Sequence, residues 1–90
     1  MEINKNLIEM IEYPKQGVLS KVIFKNKKTN STLFCMAAGT EISEHTSTRQ
    51  GVVYVIEGKG TFNLQGNEIE MKDGVFIFME ENAVHSLHAK

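Results

Sequence analysis

The run Val52-Val-Tyr-Val-Ile56, set between Gly51 and Glu57-Gly58, constrains this chain more than any other segment. Read as a strand over residues 51–57, it is apolar on both faces, because successive side chains of a strand point to opposite sides. One face must line an interior. The other carries Val52, Tyr54 and Ile56, or their alternates, and needs cover too, since soluble proteins rarely leave such a patch open unless it binds something. A second copy of the chain is the expected cover, which makes the protein a homodimer. Length points the same way. Ninety residues form one domain, residues 1–90, and a chain of that size buries only roughly 60–65% of its unfolded surface.

Period-two patterning governs most of the chain from residue 18 onward. Val18 to Lys25 is a strand candidate, Lys25-Asn-Lys-Lys-Thr-Asn30 a turn, and Ser31 to Ala38 a second strand ended by Gly39-Thr40. Ile42 to His45 forms a short extended piece. After Gly58-Lys-Gly60, Phe62 and Leu64 alternate with Thr61, Asn63 and Gln65. Gly66-Asn67 reads as a two-residue hairpin turn, because both residues tolerate positive φ, and Glu68 to Met71 returns. Lys72-Asp-Gly74 turns into the apolar Val75 to Met79, Glu80-Glu-Asn82 turns again, and Ala83 to His88 begins a last strand. The opening Asn6 to Tyr13 fits a helical turn through Leu7, Ile8 and Ile11, and equally a strand edge through Leu7, Glu9, Ile11 and Tyr13. Pro14 ends it either way. Short strands separated by glycine-rich turns predict an all-β sandwich or barrel.

Composition narrows the function classes. A net charge of −1 leaves no basic footprint for nucleic acid, and the Lys25–Lys28 cluster reads as a turn. No apolar run approaches the ~20 residues of a membrane span, so no membrane partner is expected. The start, Met1-Glu-Ile-Asn-Lys5, lacks the basic-then-apolar order of a signal peptide, and a lone Cys35 cannot form an intrachain disulfide. A cytoplasmic location is therefore expected. Neither a Ser-His-Asp nor a Cys-His-Asn arrangement is apparent. Gly58-Lys-Gly60 leads into a strand rather than a helix, which argues against a phosphate cradle.

Two histidines adjoin the strands that must be buried. His45 follows Gly39-Thr-Glu-Ile-Ser-Glu44, and His85 lies just after Val75-Phe-Ile-Phe-Met79 and its turn. Their spacings match a pair of motifs. Gly39, His45, Ser47, Gly51 and Gly58 fall on the pattern Gly-x5-His-x-His-x3,4-Glu-x6-Gly, with Ser47 in place of the second histidine and Gly51 in place of the glutamate. Gly74, Glu80, Asn82, His85 and Ala89 fall on Gly-x5-Pro-x-Gly-x2-His-x3-Asn, keeping Gly74 and His85. Over residues 39–89 the chain thus resembles the cupins, small single-domain proteins of the type-2 kind included.

That resemblance implies an antiparallel jelly-roll β-barrel with little helix, and one more strand after the second motif. The sequence stops five residues past His85, so either it is trimmed before a last strand or the last edge is left open for another chain to cover. It also implies a divalent metal, Zn, Fe, Mn or Ni, held in the family by three histidines and a glutamate. His45 and His85 stand at two of those positions. Stable catalytic sites take at least three protein ligands, so a further donor is needed. Ser47 has the right parity. Gln50, one residue before the glutamate position, would point inward if a bulge at Gly51 re-aimed it. Glu44 has the wrong parity.

Each residue has a plainer reading beside this one. From spacing alone His45 is a loop histidine capping a turn, and His85 a half-buried histidine bonded to a carbonyl. His88, of opposite parity to His85, faces solvent. Cys35 reads as a small core residue, Glu68, Glu70, Glu80 and Glu81 as solvated surface, and Phe34, Phe62, Phe76 and Phe78 as core. The function expected is a small cupin binding a divalent metal or a small metabolite, with a metal-dependent dioxygenase, isomerase or epimerase as the alternative.

Overall fold

The computed structural model describes residues 3–90; Met1 and Glu2, with which the signal-peptide reading begins, lie outside them. Among the described residues one short helix and eight strands occur, and every strand pairing is antiparallel. The all-β expectation holds. By contacts the chain divides into two compact units, residues 1–37 and 38–90.

The first unit holds α1 (Leu7–Met10), β1 (Val18–Lys25) and β2 (Asn30–Met36). The ambiguous opening resolves as a single helical turn because Asn6 caps it: its Oδ1 accepts from the Ile8 and Glu9 amides at 3.0 and 3.3 Å. Lys21 then ties the turn to β1, donating to the Met10 carbonyl at 2.8 Å and pairing with Glu12 at 3.0 Å. Between the strands Asn26 closes an Asx turn, its Oδ1 accepting from the Lys28 and Thr29 amides at 2.9 and 2.7 Å, so the lysine cluster is a turn as read. Leu33, Cys35 and Ala37 are buried, and Phe34 between them is 55% exposed. Cys35 is a core residue whose sulfur accepts from the Glu12 amide at 3.4 Å.

The second unit contains β3 (Glu41–His45), β4 (Gly51–Tyr54), β5 (Gly60–Leu64), β6 (Asn67–Met71), β7 (Phe76–Met79) and β8 (His85–Ala89). Four of them form a sheet in the order β3-β8-β5-β6, and β4 pairs with β7. Val55, Phe62, Ile77 and Ala83 are its buried apolar residues. The β5–β6 turn falls on Gln65-Gly66, with φ of 52° and 84°, one residue earlier than the Gly66-Asn67 turn the sequence suggests. Tertiary bonding overrides local preference here, because Gln65 is engaged by Val84 through both backbone and side chain.

Strand β4 ends at Tyr54, short of the expected residue 57, so its outward face is Val52 and Tyr54, while Ile56 is half-buried beyond the strand. Opposite these stand Phe78 and Phe76 as their Cα partners. The four are 48–62% exposed. Phe34, Phe76 and Phe78 are therefore not core, contrary to the sequence reading, and only Phe62 is, at 1% exposure. For Phe76 and Phe78 the cause is phase: a strand that is apolar throughout sends alternate residues outward, and composition does not say which. Among the described residues no helix is long and apolar enough to cross a membrane.

Candidate histidine-pair site

His45 is the last residue of β3 and His85 the first of β8, and the two are Cα partners. Their ring centroids lie 4.1 Å apart with the planes inclined at 59°. A β-bulge makes this possible. Glu41 pairs with His88 and Ile42 with Leu87, so an unbroken register would set Val84 opposite His45; the shift between Ile42 and His45 sets His85 there instead. Bulges recur where a side chain has to be re-aimed. Here the irregularity lies in β3, and the β4–β7 register runs regularly from Gly51.

Both rings are oriented the same way. Each Nδ1 donates to the carbonyl two residues earlier in its own strand, His45 to Ser43 at 2.8 Å and His85 to Ala83 at 3.0 Å. A carbonyl oxygen only accepts, so both Nδ1 atoms carry the proton and both neutral rings keep an Nε2 lone pair. Behind the pair, Phe62 stacks on His85 at a centroid distance of 5.9 Å and 12°. His45 is exposed and His85 half-buried, so the pair sits at the edge of a dry face rather than within it.

Two five-residue loops frame the site, residues 46–50 after His45 and 80–84 before His85. The Asn82 amide donates to the Ser47 carbonyl at 2.7 Å, joining them. Asn82 adopts φ of 64°, the left-handed conformation that glycine takes most easily and that asparagine tolerates best among the other residues. Its departure from the motif glycine therefore preserves the backbone. The second loop is fixed from β5 as well: the Gln65 amide donates to the Val84 carbonyl at 2.8 Å, and the Val84 amide donates to Gln65 Oε1 at 2.7 Å. Sequence reading missed Gln65 and the plate formed by Phe62. For Phe62 the alternation within β5 was a usable signal; for Gln65 nothing local was.

The other named residues take these places. Ser47 is exposed, and its Oγ accepts from the Arg49 amide at 3.3 Å. Gln50 is exposed and precedes β4. Glu44, Glu68, Glu70, Glu80 and Glu81 are exposed. His88 lies away from the pair, donating from Nδ1 to Glu41 Oε1 at 2.9 Å. Among the described residues no three His, Cys, Asp or Glu side chains stand close enough to hold a metal ion. Gly51, at the glutamate position, supplies no side chain. These residues do not fit the three-histidine, one-glutamate set.

Comparison with known proteins agrees with the fold. A family model described as a cupin domain matches residues 32–90. Among solved structures the chain is similar to a conserved protein of unknown function from Streptococcus pyogenes, at 22% identity over 99% of this chain and 80% of that one, TM-score 0.86. It is similar to a cupin superfamily protein from Desulfitobacterium hafniense, at 19% identity over 100% and 83%, TM-score 0.88. An RmlC-like cupin protein from Desulfovibrio desulfuricans matches at 20% identity over 99% and 87%, TM-score 0.82. At such identities the likeness is one of fold. No curated protein matches the sequence.

Proposed function

This chain belongs to the cupin family, and from that premise we propose that it is a small binding protein whose recognition centre is the His45–His85 pair. The observation that carries the reading is the shared tautomer: both Nδ1 protons are bound to backbone carbonyls, so two Nε2 lone pairs are offered from rings 4.1 Å apart. Such a pair can accept hydrogen bonds from a small metabolite or donate to a divalent ion. Binding is favoured over catalysis because stable catalytic metal sites use three or more protein ligands, and the carboxylate and second imidazole of the family's first motif are absent here. Titration of the purified chain with Zn(II), Mn(II), Ni(II) and Fe(II) by calorimetry, alongside a metabolite screen read by amide NMR, tests the reading. Weak binding of an ion or small molecule that disturbs His45 and His85 first is the expected result. Saturating additions that leave both residues undisturbed would overturn it.

We further propose that the protein is a homodimer through the outer face of the β4–β7 ladder. Val52, Tyr54, Phe76 and Phe78 form an uncharged patch of two adjoining cross-strand pairs, each member 48% or more exposed. A two-fold axis through such a patch would cover the same four residues on both copies, which is the economical way to hide it.

A further inference from the structure

A bulge in β1 shapes a groove in the first unit. Val22 pairs with Thr32 and Phe24 with Ser31, which leaves Ile23 without a Cα partner. Strict alternation would send Ile23 and Phe24 to opposite faces. Instead both are half-buried and both line one open groove, which Ile3, Lys5 and Leu7 complete. Its volume is about 500 Å³, within the range that takes a small organic molecule. Four of the five lining residues are apolar, and the fifth is a cation.

The cation is held in place and lacks a counter-charge. Lys5 Nζ donates to the Ile23 carbonyl, the one at the bulge, at 2.6 Å. Lys21 in the same unit shows what a completed arrangement looks like. Its Nζ donates to the Met10 carbonyl at 2.8 Å and also pairs with Glu12 at 3.0 Å. Lys5 has the carbonyl but, among the described residues, no carboxylate at ion-pair distance. An ammonium carries three N–H donors, so the anion's place beside Lys5 is open.

We propose that this groove binds an amphipathic carboxylate, of the kind a medium-chain fatty acid presents. The alkyl chain lies along Ile3, Leu7, Ile23 and Phe24, and the carboxylate takes the open place on Lys5 Nζ. Burial of alkyl surface supplies most of the affinity, while the ion pair, being exposed, adds a small increment and sets which end of the ligand meets the lysine. The site uses no residue of the histidine pair, so the two readings stand or fall separately.

The test titrates the full chain with sodium octanoate and, separately, with octanol, which keeps the chain and drops the charge. The methyl groups of Ile3, Leu7 and Ile23 are followed by 13C-edited NMR in low salt, in the parent and in Lys5→Gln. Both ligands should move these methyls saturably in the parent. Lys5→Gln should weaken octanoate by about threefold and leave octanol unchanged, and molar salt should do the same to the parent. Methyls that stay still at saturating octanoate overturn the proposal. So does a folded Lys5→Gln that binds octanoate as the parent does. Movement of the same methyls on dilution of the protein alone would assign the groove to a second copy, and would overturn it too. If Lys5→Gln does not fold, the salt series on the parent decides: octanoate binding that ignores salt removes the ion pair and the proposal with it.

Discussion

Gln65 and Val84 bond to each other twice, the Gln65 amide to the Val84 carbonyl at 2.8 Å and the Val84 amide to Gln65 Oε1 at 2.7 Å. Gln65 does this from φ of 52°, a conformation that costs a residue with a Cβ roughly 1–2 kcal/mol. The hairpin turn and the approach to His85 are thus one structural unit. Gln65→Ala removes the side-chain bond and keeps the strain, so a loss of about 1 kcal/mol is expected beyond any effect on the turn itself. Gln65→Gly removes the bond but relieves the strain, and should be the more stable of the two. Urea denaturation orders the variants, and faster hydrogen exchange at the Val84 amide should appear in both.

His45→Ala and His85→Ala should each weaken ligand or ion binding by about tenfold or more, equivalent to about 1.4 kcal/mol, and leave the circular dichroism spectrum unchanged. Neither ring is a large buried apolar group, so the fold does not depend on it. Calorimetry on the two single variants and the double variant checks this. Because both rings serve one ligand, the double variant should lose little more than either single one.

Phe62→Leu separates packing from ring support. Phe62 is 1% exposed and stacks on His85, so truncation to alanine should cost about 3–5 kcal/mol. Leucine preserves most of the buried area and removes the plate, and a smaller loss of stability with altered His85 ring resonances is the expected outcome by NMR.

Phe76→Lys and Tyr54→Lys should convert a dimer into a folded monomer. Both positions are more than half exposed, so the substitutions spare the core and place charge in the covered patch. Light scattering at micromolar concentration reads the result. A parent that is already monomeric there would remove the homodimer proposal.

Gly60 fixes the spacing of β5 and β8. A Cβ at this position would lie 2.5 Å from the His88 carbonyl oxygen, which is backbone and unable to turn aside. Gly60→Ala should destabilise the protein by about 1–3 kcal/mol, seen as a lower midpoint in thermal denaturation.

Much of the fold was legible because its signals are local. Alternation in Phe62-Asn-Leu64, the Asn26 turn and the breaks at Gly39 and Gly74 each act over a few residues, and each recurs in the structure. The histidine pair was legible as spacing and not as geometry. Strict alternation along β3 gives no hint that His45 shares a face with Ile42, since the bulge between them answers to β8, which lies some forty residues on. The outward phenylalanines were hidden for a related reason. Phe76-Ile-Phe78 contains no polar residue to set its phase, so only the partner strand decides which side chain is covered. Gln65 was hidden because its partner, Val84, is 19 positions away.

The two rings of the site each take their hydrogen bond from their own chain, through a carbonyl two positions upstream, and not from a neighbouring element. The geometry is therefore portable. Two tripeptides, Ser43-Glu-His45 and Ala83-Val-His85, carry the tautomer and the ring direction with them. Any antiparallel ladder with one bulge at the right step could receive them as a transplant. A designer who wants paired imidazoles on a sheet edge would need to copy six residues, a register and one aromatic plate, and could leave the rest of this protein behind.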